Sequence, residues 1–335
     1  MRAPRFWGNP PARPGLGARL LAPLAAIWTW ETRRRLARST GARVGVPVIC
    51  VGNITAGGSG KTPTVIALLM RLGERGIAAQ VVTRGHGGSL GGEEPVRVDE
   101  RRHRADEVGD EPLLLAAFAP VWVGRDRAAA ARAAETAGAQ AIVMDDGLQN
   151  PDLARDLAIV VVDAAFGFGN GRVMPAGPLR EPVSDGLSRA GLVLVIGPEE
   201  ERARFRADWP AVERLPVVEA RLEPLATGMD WAGLRTLAFA GIGRPEKFFA
   251  SLRGAGADVV ATRSFDDHEP FAPRLLARLD AEARALGAQL VTTEKDAARL
   301  PAAFRSRVLV LPVRLAFDDP APLDAALAAI GLGRA

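Results

Sequence analysis

A glycine-rich stretch followed by a lysine and a threonine is the part of the sequence best suited to bind phosphate. Residues 52–60 hold four glycines, and Lys61 and Thr62 come directly after them. Glycine lets the backbone turn tightly, so that its N–H groups can surround a phosphate. In such loops the lysine reaches the β- and γ-phosphates of a nucleotide, and the hydroxyl binds Mg²⁺. Residues 52–60, which we call the phosphate loop, therefore predict a nucleotide site.

The sequence on either side of the phosphate loop fits this interpretation. The apolar residues 46–51 predict a buried strand, and residues 64–75 have helical periodicity. Thr55 stands where the usual pattern has a glycine, so a glycine-rich turn that binds no ligand is the alternative. The predicted nucleotide-binding residues are Thr55, Ala56, Gly57, Gly58, Ser59, Gly60, Lys61 and Thr62.

Two adjacent carboxylates follow a second apolar run. Residues 141–144 predict a strand, and Asp145 and Asp146 come at its end. In a doubly wound parallel sheet the carboxyl end of this strand lies beside the phosphate loop, so either side chain can reach Mg²⁺ directly or through water. The alternative is that the two acids only cap the next turn.

Phosphoryl transfer to an alcohol also needs a group that accepts the hydroxyl proton. Asp110 and Glu111 stand just before a predicted helix, where Asp110 also suits a simple N-cap role. His268 stands among three acids that could hold it in one tautomer, although a lone histidine is more often a surface residue. The glycine- and proline-rich residues 166–182 form a long loop that carries Arg172 and Arg180, both candidates for phosphate contacts.

The elements that would position these residues alternate between strand and helix. At 335 residues with 48% hydrophobic content, the chain is long enough for two domains. We expect an α/β fold of the P-loop NTPase type, with a doubly wound, mostly parallel sheet and a second, smaller α/β domain. The predicted boundaries are 1–43 for a basic, apolar segment, 44–215 for the phosphate-loop domain, 216–235 for a linker and 236–335 for the smaller domain, which includes a strand at 308–313 and a final helix at 321–330.

Charge and cysteine content restrict where the chain can act. The single cysteine, Cys50, excludes a disulfide framework and a thiolate metal cluster, which favours the cytoplasm. Residues 1–43 hold nine arginines and one acid and carry a net +8, which leaves −4 for the remainder of the +4 chain. The apolar part of this segment, residues 20–30, is too short to span a bilayer. It predicts a helix lying in the membrane interface, and packing of the same helix on the protein's own core is the alternative.

Eight short motifs together resemble one enzyme family. They are VGNITAGGSGKTP, TRGHGG, VGDEP, DDGLQ, NGRVMPAGPLREP, GIGRPEKFF, FDDHEPF and TTEKDAARL. Their order is that of tetraacyldisaccharide 4′-kinases, the lipid A 4′-kinases of Gram-negative bacteria, and the resemblance runs from the N-terminal segment to about residue 300. It implies a monotopic enzyme at the cytoplasmic face of the inner membrane. This enzyme transfers the γ-phosphoryl group of ATP to the 4′-hydroxyl of an acylated glucosamine disaccharide 1-phosphate, with two domains that close over the nucleotide.

The resemblance also implies roles for individual residues. Asp110 resembles the base and His268 its pairing partner, while Glu111 and Arg172 fall at active-site positions of the family. The residues implied in catalysis are Asp110, His268, Lys61 and Arg172, and those implied in Mg²⁺ binding are Thr62, Asp145, Asp146 and Glu111. The sequence departs from the family pattern at His86, where tyrosine is usual, at Leu148 and Asn150, which replace phenylalanine and histidine, and at Glu269, which replaces histidine.

Three other functions would need sequence features different from those found here. Another phosphate-loop kinase of small molecules would not need the basic N-terminal segment. A nucleotide-switch protein acting on a membrane partner is the main alternative, but residues 293–296 only approximate a guanine-binding motif because Lys295 is displaced by one position. Basic charge confined to one end, with few aromatics elsewhere, argues against nucleic acid as a partner. The expected partners are the acylated substrate and an anionic membrane surface, and no obligate protein partner is expected.

Overall fold

Thirteen short strands, two of them at sheet edges and antiparallel, organise the part of the chain that the computed structural model describes, residues 3–38, 41–266 and 269–333. The strands are β1 (Val48–Gly52), β2 (Ala79–Thr83), β3 (Val96–Arg97), β4 (Val121–Val123), β5 (Ala141–Asp145), β6 (Leu157–Asp163), β7 (Leu192–Ile196), β8 (Val217–Pro224), β9 (Arg235–Ala240), β10 (Asp258–Ser264), β11 (Gln289–Thr292), β12 (Val308–Val310) and β13 (Val313–Phe317).

The α-helices connect these strands in the alternation that the sequence predicts. They are α1 (Leu16–Leu20), α2 (Ala22–Ala37), α3 (Lys61–Gly73), α4 (Ala105–Val108), α5 (Asp110–Ala116), α6 (Arg127–Thr136), α7 (Val183–Leu187), α8 (Glu199–Asp208), α9 (Pro245–Gly254), α10 (Pro273–Ala285), α11 (Glu294–Arg299), α12 (Ala302–Arg305) and α13 (Ala321–Ala329). Two 3₁₀ turns, Arg5–Gly8 and Pro210–Arg214, complete the regular structure of the described residues.

The larger sheet has the order β13-β8-β7-β6-β1-β5-β2-β4-β3. Its strands from β8 through β4 run parallel, and the edge strands β3 and β13 run antiparallel to their neighbours. Strand β1 is buried along its whole length and lies between β5 and β6, because apolar, β-branched residues suit a strand that is covered on both faces. This arrangement confirms the predicted doubly wound fold. It brings the ends of β1 and β5 together at one sheet edge, as Asp145 pairs with Val51 in register.

The smaller sheet has the order β10-β9-β11-β12, with all strands parallel. Helices α9 and α10 cover it, and the aromatic ring of Phe271 packs edge to face against those of Phe239 and Phe265 in its core. This core is separate from the two apolar layers on either face of the larger sheet. The sequence prediction of a second, smaller α/β unit therefore has a structural counterpart.

The predicted strand at 308–313 is wrong as a single element. Strand β12 ends at Val310 in the smaller sheet, and β13 begins at Val313 in the larger one. Pro312, which has no N–H to donate to a ladder, lies between them. Strand β8 lies within the predicted linker at 216–235 but pairs with β7 and β13 in the larger sheet. The boundary that placed residues 313–335 in the smaller domain is thus corrected for the described part of that segment.

The final helix stabilises the larger sheet through apolar and ionic contacts. Leu323 and Leu327 of α13 are buried in the same apolar layer as helix α3, which follows the phosphate loop. Arg71 of α3 and Arg75, just beyond the end of that helix, donate to the Asp324 carboxylate. Residues far from the nucleotide site in sequence therefore support the helix on which that site depends.

We expect Leu327→Ala to lower the free energy of unfolding of the larger sheet by about 2–5 kcal/mol, because it leaves a cavity in this layer. Urea unfolding followed by tryptophan fluorescence measures this change. Leu222→Ala, at an exposed position of β8, is the control and should change stability by about 0.5 kcal/mol or less. Equal, small effects of the two substitutions would contradict the assignment of α13 to the larger sheet.

The N-terminal helices pack by their small residues and expose their large apolar ones. Ala18, Ala25 and Thr32 are buried, whereas the apolar side chains directed to the surface are Leu16, Leu20, Leu24, Ile27, Trp28 and Trp30. The Trp28 indole N–H donates to the Arg180 carbonyl at 3.0 Å, and Arg33 pairs with Asp185 at 2.6 Å. Among the described residues, no helix is long and apolar enough to cross a membrane.

Candidate functional site

The phosphate loop leaves β1 at Gly52 and enters α3 at Lys61. Gly60 has a φ of 92°, and a Cβ there would lie 2.6 Å from the Ile196 side chain, so glycine is required by both conformation and space. The buried Asn53 side chain braces the loop from inside: its Nδ2 donates to the Thr55 carbonyl at 2.6 Å, and its Oδ1 accepts from Lys61 Nζ at 3.3 Å. Asn53 therefore ties the phosphate loop to the lysine that follows it.

The long loop predicted at 166–182 forms one wall of the phosphate loop. The Ala56 N–H donates to the Pro178 carbonyl at 2.8 Å, and the Arg180 N–H donates to the Ile54 carbonyl at 2.7 Å. The Gln149 side chain donates to the Asn53 carbonyl and to Glu181. These bonds explain why this connection is long, because it supports the nucleotide site along one side.

Asp145 is buried where β5 ends, with 1% of its surface exposed. Thr83 Oγ1 donates to its Oδ2 at 3.4 Å, while its Oδ1 has no hydrogen-bond donor among the described residues. Burial, followed by the nearby charges of Glu111 and Asp146, raises the pKa of Asp145 to about 7. One oxygen of the Asp145 carboxylate is thus left unpaired near the carboxylates of Glu111 and Asp146.

Asp146 has a different environment from its neighbour. It adopts a φ of 50°, and its Oδ1 accepts from Arg180 Nη1 at 2.8 Å and lies 3.8 Å from Lys61 Nζ. Burial by itself would raise the pKa of Asp146, but the charges of Lys61 and Arg180 outweigh it and lower that pKa below its usual value. The described contacts of both carboxylates involve side chains, and neither includes a backbone N–H of the following turn, so the capping alternative receives no support.

These side chains fit a divalent cation that is shared with phosphates. No three acidic, histidine or cysteine side chains of the described residues converge closely enough to hold a metal by themselves. Mg²⁺ is commonly held by one or two carboxylates together with phosphate oxygens and water. The unpaired Asp145 oxygen, the Asp146 carboxylate and Thr62 in the first turn of α3 could supply the protein part of such a site.

Asp110 lies at the start of α5, with 4% of its surface exposed. Gly109 is the N-cap of this helix, and the Asp110 carboxylate accepts from the adjacent Glu111 N–H at 3.0 Å, so the N-cap role that the sequence also allowed belongs to another residue. Two cations of α11, which belongs to the smaller sheet, approach this point. Lys295 Nζ lies 3.2 Å from Glu111 Oε1 and 4.0 Å from Asp110 Oδ2, and Arg299 Nε lies 3.7 Å from Asp110 Oδ2.

The remaining predicted site residues are placed differently. Arg172 is exposed and lines a groove beside α2, and among the described contacts none joins it to the phosphate loop. Arg180, the other arginine predicted for phosphate contacts, does reach the site through Asp146. His268 lies outside the described residues. The structure therefore brings Lys61, Asp145 and Asp146 into direct or near contact, with Asp110 and Glu111 on the side facing the smaller sheet.

The four departures from the family pattern occupy distinct surroundings. Leu148 is fully buried against Gly52, and Asn150 hydrogen-bonds with Asp152. His86 is exposed, and the Glu269 side chain accepts from the Asp266 N–H at 2.9 Å. Within the described contacts, Leu148 supports the strand that leads into the phosphate loop, and Asn150 orders the turn after Asp146.

Some site residues were not singled out from the sequence. Asn53 and Gln149 hold the loop, Arg127 is buried near Asp145 and Asp146, and Lys295 and Arg299 approach Asp110 from another element. Arg299 was visible only as a member of the TTEKDAARL motif, and Lys295 only there and in the approximate guanine-binding motif, so neither had a predicted role at this site. Spacing along the chain carries no signal that would pair them with a residue near position 110.

Known proteins similar to this chain include tetraacyldisaccharide 4′-kinases. The family described as tetraacyldisaccharide-1-P 4′-kinase matches residues 17–331. Proteins named tetraacyldisaccharide 4′-kinase match from Dinoroseobacter shibae (64% identity, 98% of this chain and 97% of that one), Rhodospirillum centenum (56%, 100% and 98%) and Jannaschia sp. (54%, 100% and 100%). The crystal structure of LpxK from Aquifex aeolicus in complex with ATP superimposes with a TM-score of 0.72 at 24% identity and covers 93% of this chain and 99% of that one.

Proposed function

The chain belongs to the tetraacyldisaccharide-1-P 4′-kinase family, and from this premise we propose how its residues perform the reaction. It is an ATP-dependent kinase of lipid A biosynthesis, and its acceptor is a lipid A disaccharide phosphate. The phosphate loop, with Thr55–Thr62, binds the ATP phosphates. The acceptor's 4′-hydroxyl, on a tetraacylated glucosamine disaccharide 1-phosphate, enters on the side of Asp110.

Two groups on opposite sides of the reacting phosphorus drive the transfer. Lys61 holds the β- and γ-phosphates and stabilises the charge that moves toward ADP. Asp110 takes the proton of the 4′-hydroxyl as its oxygen bonds to the γ-phosphorus, and the bond from that phosphorus to the β,γ-bridging oxygen breaks with its electron pair left on ADP. His268 pairs with Asp110, and Arg172 binds the acceptor side. Closure of the smaller domain over the nucleotide excludes water from this step.

Thr62, Asp145, Asp146 and Glu111 would hold Mg²⁺, which would supply positive charge to the nucleotide phosphates. The observation that supports this assignment is the unpaired, buried Oδ1 of Asp145 beside two other carboxylates, since a divalent cation would balance that negative charge. Lys61 and Arg180 lower the pKa of Asp146 and so keep its carboxylate ionised, which allows it to bind a divalent cation.

The observation that carries the proposed function is the juxtaposition of the phosphate loop, the Asp145–Asp146 pair and the buried Asp110 at one sheet edge. The test is transfer of ³²P from labelled ATP to a tetraacylated glucosamine disaccharide 1-phosphate in detergent micelles. Labelled lipid is the expected result. If ATP is bound and slowly hydrolysed while no lipid is labelled, the substrate assignment is wrong. The nucleotide-switch alternative is then the better explanation.

The N-terminal segment docks the enzyme on the cytoplasmic face of the inner membrane. An acylated substrate leaves a bilayer only at a cost of about 0.8 kcal/mol per CH₂ exposed, so the kinase has to work at the membrane. The exposed ridge of Leu20, Leu24 and Ile27, with side chains 80%, 53% and 62% exposed, suits insertion at the headgroup boundary. The arginines of the same segment suit anionic lipid.

Replacement of this ridge by Leu20→Ser, Leu24→Ser and Ile27→Ser together is expected to lower vesicle binding by about tenfold or more. Each such side chain contributes about 1.5–3 kcal/mol when fully buried in an apolar medium, and tenfold corresponds to about 1.4 kcal/mol. Co-sedimentation with vesicles of phosphatidylethanolamine and phosphatidylglycerol measures the change. The control, Leu222→Ser with Leu225→Ser and Met229→Ser, alters exposed apolar residues elsewhere and should bind like the wild type. Wild-type binding by the ridge variant would refute the docking role.

A further inference from the structure

The chain carries nearly all its positive charge on arginine. Of its 43 basic residues only three are lysines, Lys61, Lys247 and Lys295. Each lies against a carboxylate near the edge of the larger sheet that carries the phosphate loop: Lys61 near Asp146, Lys247 at 2.8 Å from Asp163, and Lys295 near Glu111. A lysine is a compact charge on a flexible stem, unlike the rigid fork of arginine, and suits a group that moves to meet phosphate.

Lys295 reaches the reaction centre from the smaller sheet. Its Nζ lies 3.2 Å from Glu111 Oε1 and 4.0 Å from Asp110 Oδ2, and its side chain is 18% exposed. During transfer the γ-phosphoryl group has to lie between Lys61, which holds the nucleotide phosphates, and the acceptor's 4′-oxygen, whose proton Asp110 takes. A cation within 4.0 Å of that base therefore stands on the acceptor side of the phosphorus, opposite Lys61.

The short helix that carries Lys295 is anchored at its start by two carboxylates. Glu294 accepts from Arg314 at 2.8 Å and from the Val313 N–H at 3.2 Å, which ties the start of α11 to β13. The fully buried Asp296 accepts from the Gly241 N–H at 3.0 Å and from the Thr293 hydroxyl at 2.8 Å. These contacts fix the backbone that carries Lys295.

Arg299 is the neighbouring cation, but its guanidinium is already engaged. It donates to Asp296, to the Gly241 carbonyl at 3.0 Å and to the Glu269 carbonyl at 3.1 Å, and it stacks on the Phe271 ring at 5.0 Å. Because those contacts hold it in place, Arg299 supports Asp110 as a positioning residue. Lys295 is the more exposed of the two cations, and its carboxylate partner Glu111 is proposed to serve Mg²⁺.

We propose that Lys295 is a catalytic residue, a cation that the smaller sheet supplies to the γ-phosphoryl group during transfer. This inference rests on the proposed function. As the 4′-oxygen bonds to the γ-phosphorus and the bridging oxygen leaves with ADP, negative charge is spread over the three equatorial oxygens. The Lys295 ammonium binds one of them, on the side away from Lys61. The smaller sheet then contributes to chemistry directly and does more than cover the nucleotide.

The first test compares Lys295→Met with Lys247→Met in the lipid phosphorylation assay. Lys295→Met is expected to lower kcat by about 10²–10³-fold, as for loss of one transition-state donor, with the KM for ATP within about threefold of wild type because ground-state binding is retained. Lys247→Met removes another ion pair at the same edge and should stay within about fivefold. Equal losses in the two variants, or a loss confined to KM, would overturn the proposal.

A binding measurement separates the chemical role from folding. Transition-state analogues bind more tightly than substrates through contacts made only during transfer. The affinity for ADP with Mg²⁺ and aluminium fluoride, measured by calorimetry, should therefore fall in Lys295→Met by about the same factor as kcat, while the affinity for ADP with Mg²⁺ alone stays near wild type. Unchanged affinity for the fluoride complex would contradict the role of Lys295.

Chemical rescue provides a second, independent test. The only native thiol, Cys50, is fully buried and burial raises its pKa to about 11, so it resists alkylation in the folded protein. Lys295→Cys can then be modified selectively. Bromoethylamine restores an ammonium at nearly the lysine length and should recover at least about tenfold of the lost kcat, whereas iodoacetamide, which adds a neutral group, should not. Recovery with both reagents, or with neither, would overturn the proposal.

The wild-type reaction distinguishes this inference from the function on which it rests. If the wild type labels no lipid, the proposed function fails and the role of Lys295 fails with it. If the wild type labels lipid and Lys295→Met does so at the same rate, the function stands and only the role of Lys295 is refuted.

Discussion

Asp110→Asn is expected to lower kcat for lipid phosphorylation by about 10³-fold while ATP binding stays within about threefold of wild type. General-base catalysis by a positioned side chain contributes about 10²–10⁴-fold. Asparagine keeps the shape of the side chain, which is 4% exposed, but cannot accept the 4′-hydroxyl proton. Its contacts to Glu111 and α11 lie on the acceptor side, away from the Asn53 and Lys61 contacts that shape the phosphate loop.

The measurement is ³²P transfer to the lipid acceptor, with ATP affinity determined separately by calorimetry. Asp106→Asn is a matched control, because Asp106 is an exposed acid four positions earlier that pairs with Arg104. It should retain turnover within about twofold, as for most surface substitutions. A parallel loss of ATP affinity and kcat in Asp110→Asn would show that the residue maintains the site's shape and would remove it from the role of base.

Lys61→Ala is expected to lower kcat/KM by about 10³-fold or more, with a loss in ATP affinity as well as in turnover. Its ammonium acts on the β- and γ-phosphates both before and during transfer, so its removal affects ground-state binding and the transition state together. The structure adds a second consequence. Lys61 also lies 3.8 Å from Asp146, and losing it leaves that carboxylate with Arg180 as its closest described cation.

The combined loss of ATP affinity and turnover distinguishes Lys61→Ala from Asp110→Asn in one set of experiments. Saturation kinetics with ATP should show raised KM and reduced kcat for the former and reduced kcat alone for the latter. Lys247→Ala, which removes the partner of Asp163 at the end of the adjacent strand β6, serves as the control and should remain within about fivefold of wild type. Near-normal ATP affinity in Lys61→Ala would contradict the phosphate-loop role.

Local patterns in the sequence predict the nucleotide half of the candidate site. A phosphate loop is built from consecutive residues, and its strand, glycines and Lys-Thr pair lie within about twenty positions. The Asp145–Asp146 pair followed from a second local pattern together with the regular topology of parallel sheets. Those predictions required knowing only which strand ends meet, and the register of Val51 with Asp145 agrees with them.

Contacts between distant parts of the chain lay beyond such patterns. The sequence left Asp110 open between a helix cap and a base. The structure makes Gly109 the cap, and the role of Asp110 as base stays a proposal. Lys295 and Glu111 are 184 residues apart, and the break at Pro312 that returns the chain to the larger sheet gives no periodic signal. Whether residues so far apart in sequence meet depends on the packing of whole helices and strands. A short window of sequence does not contain that information. Consecutive residues thus determine the phosphate-binding half of the site. The positions of the cations near Asp110 are determined only by how the two sheets pack together.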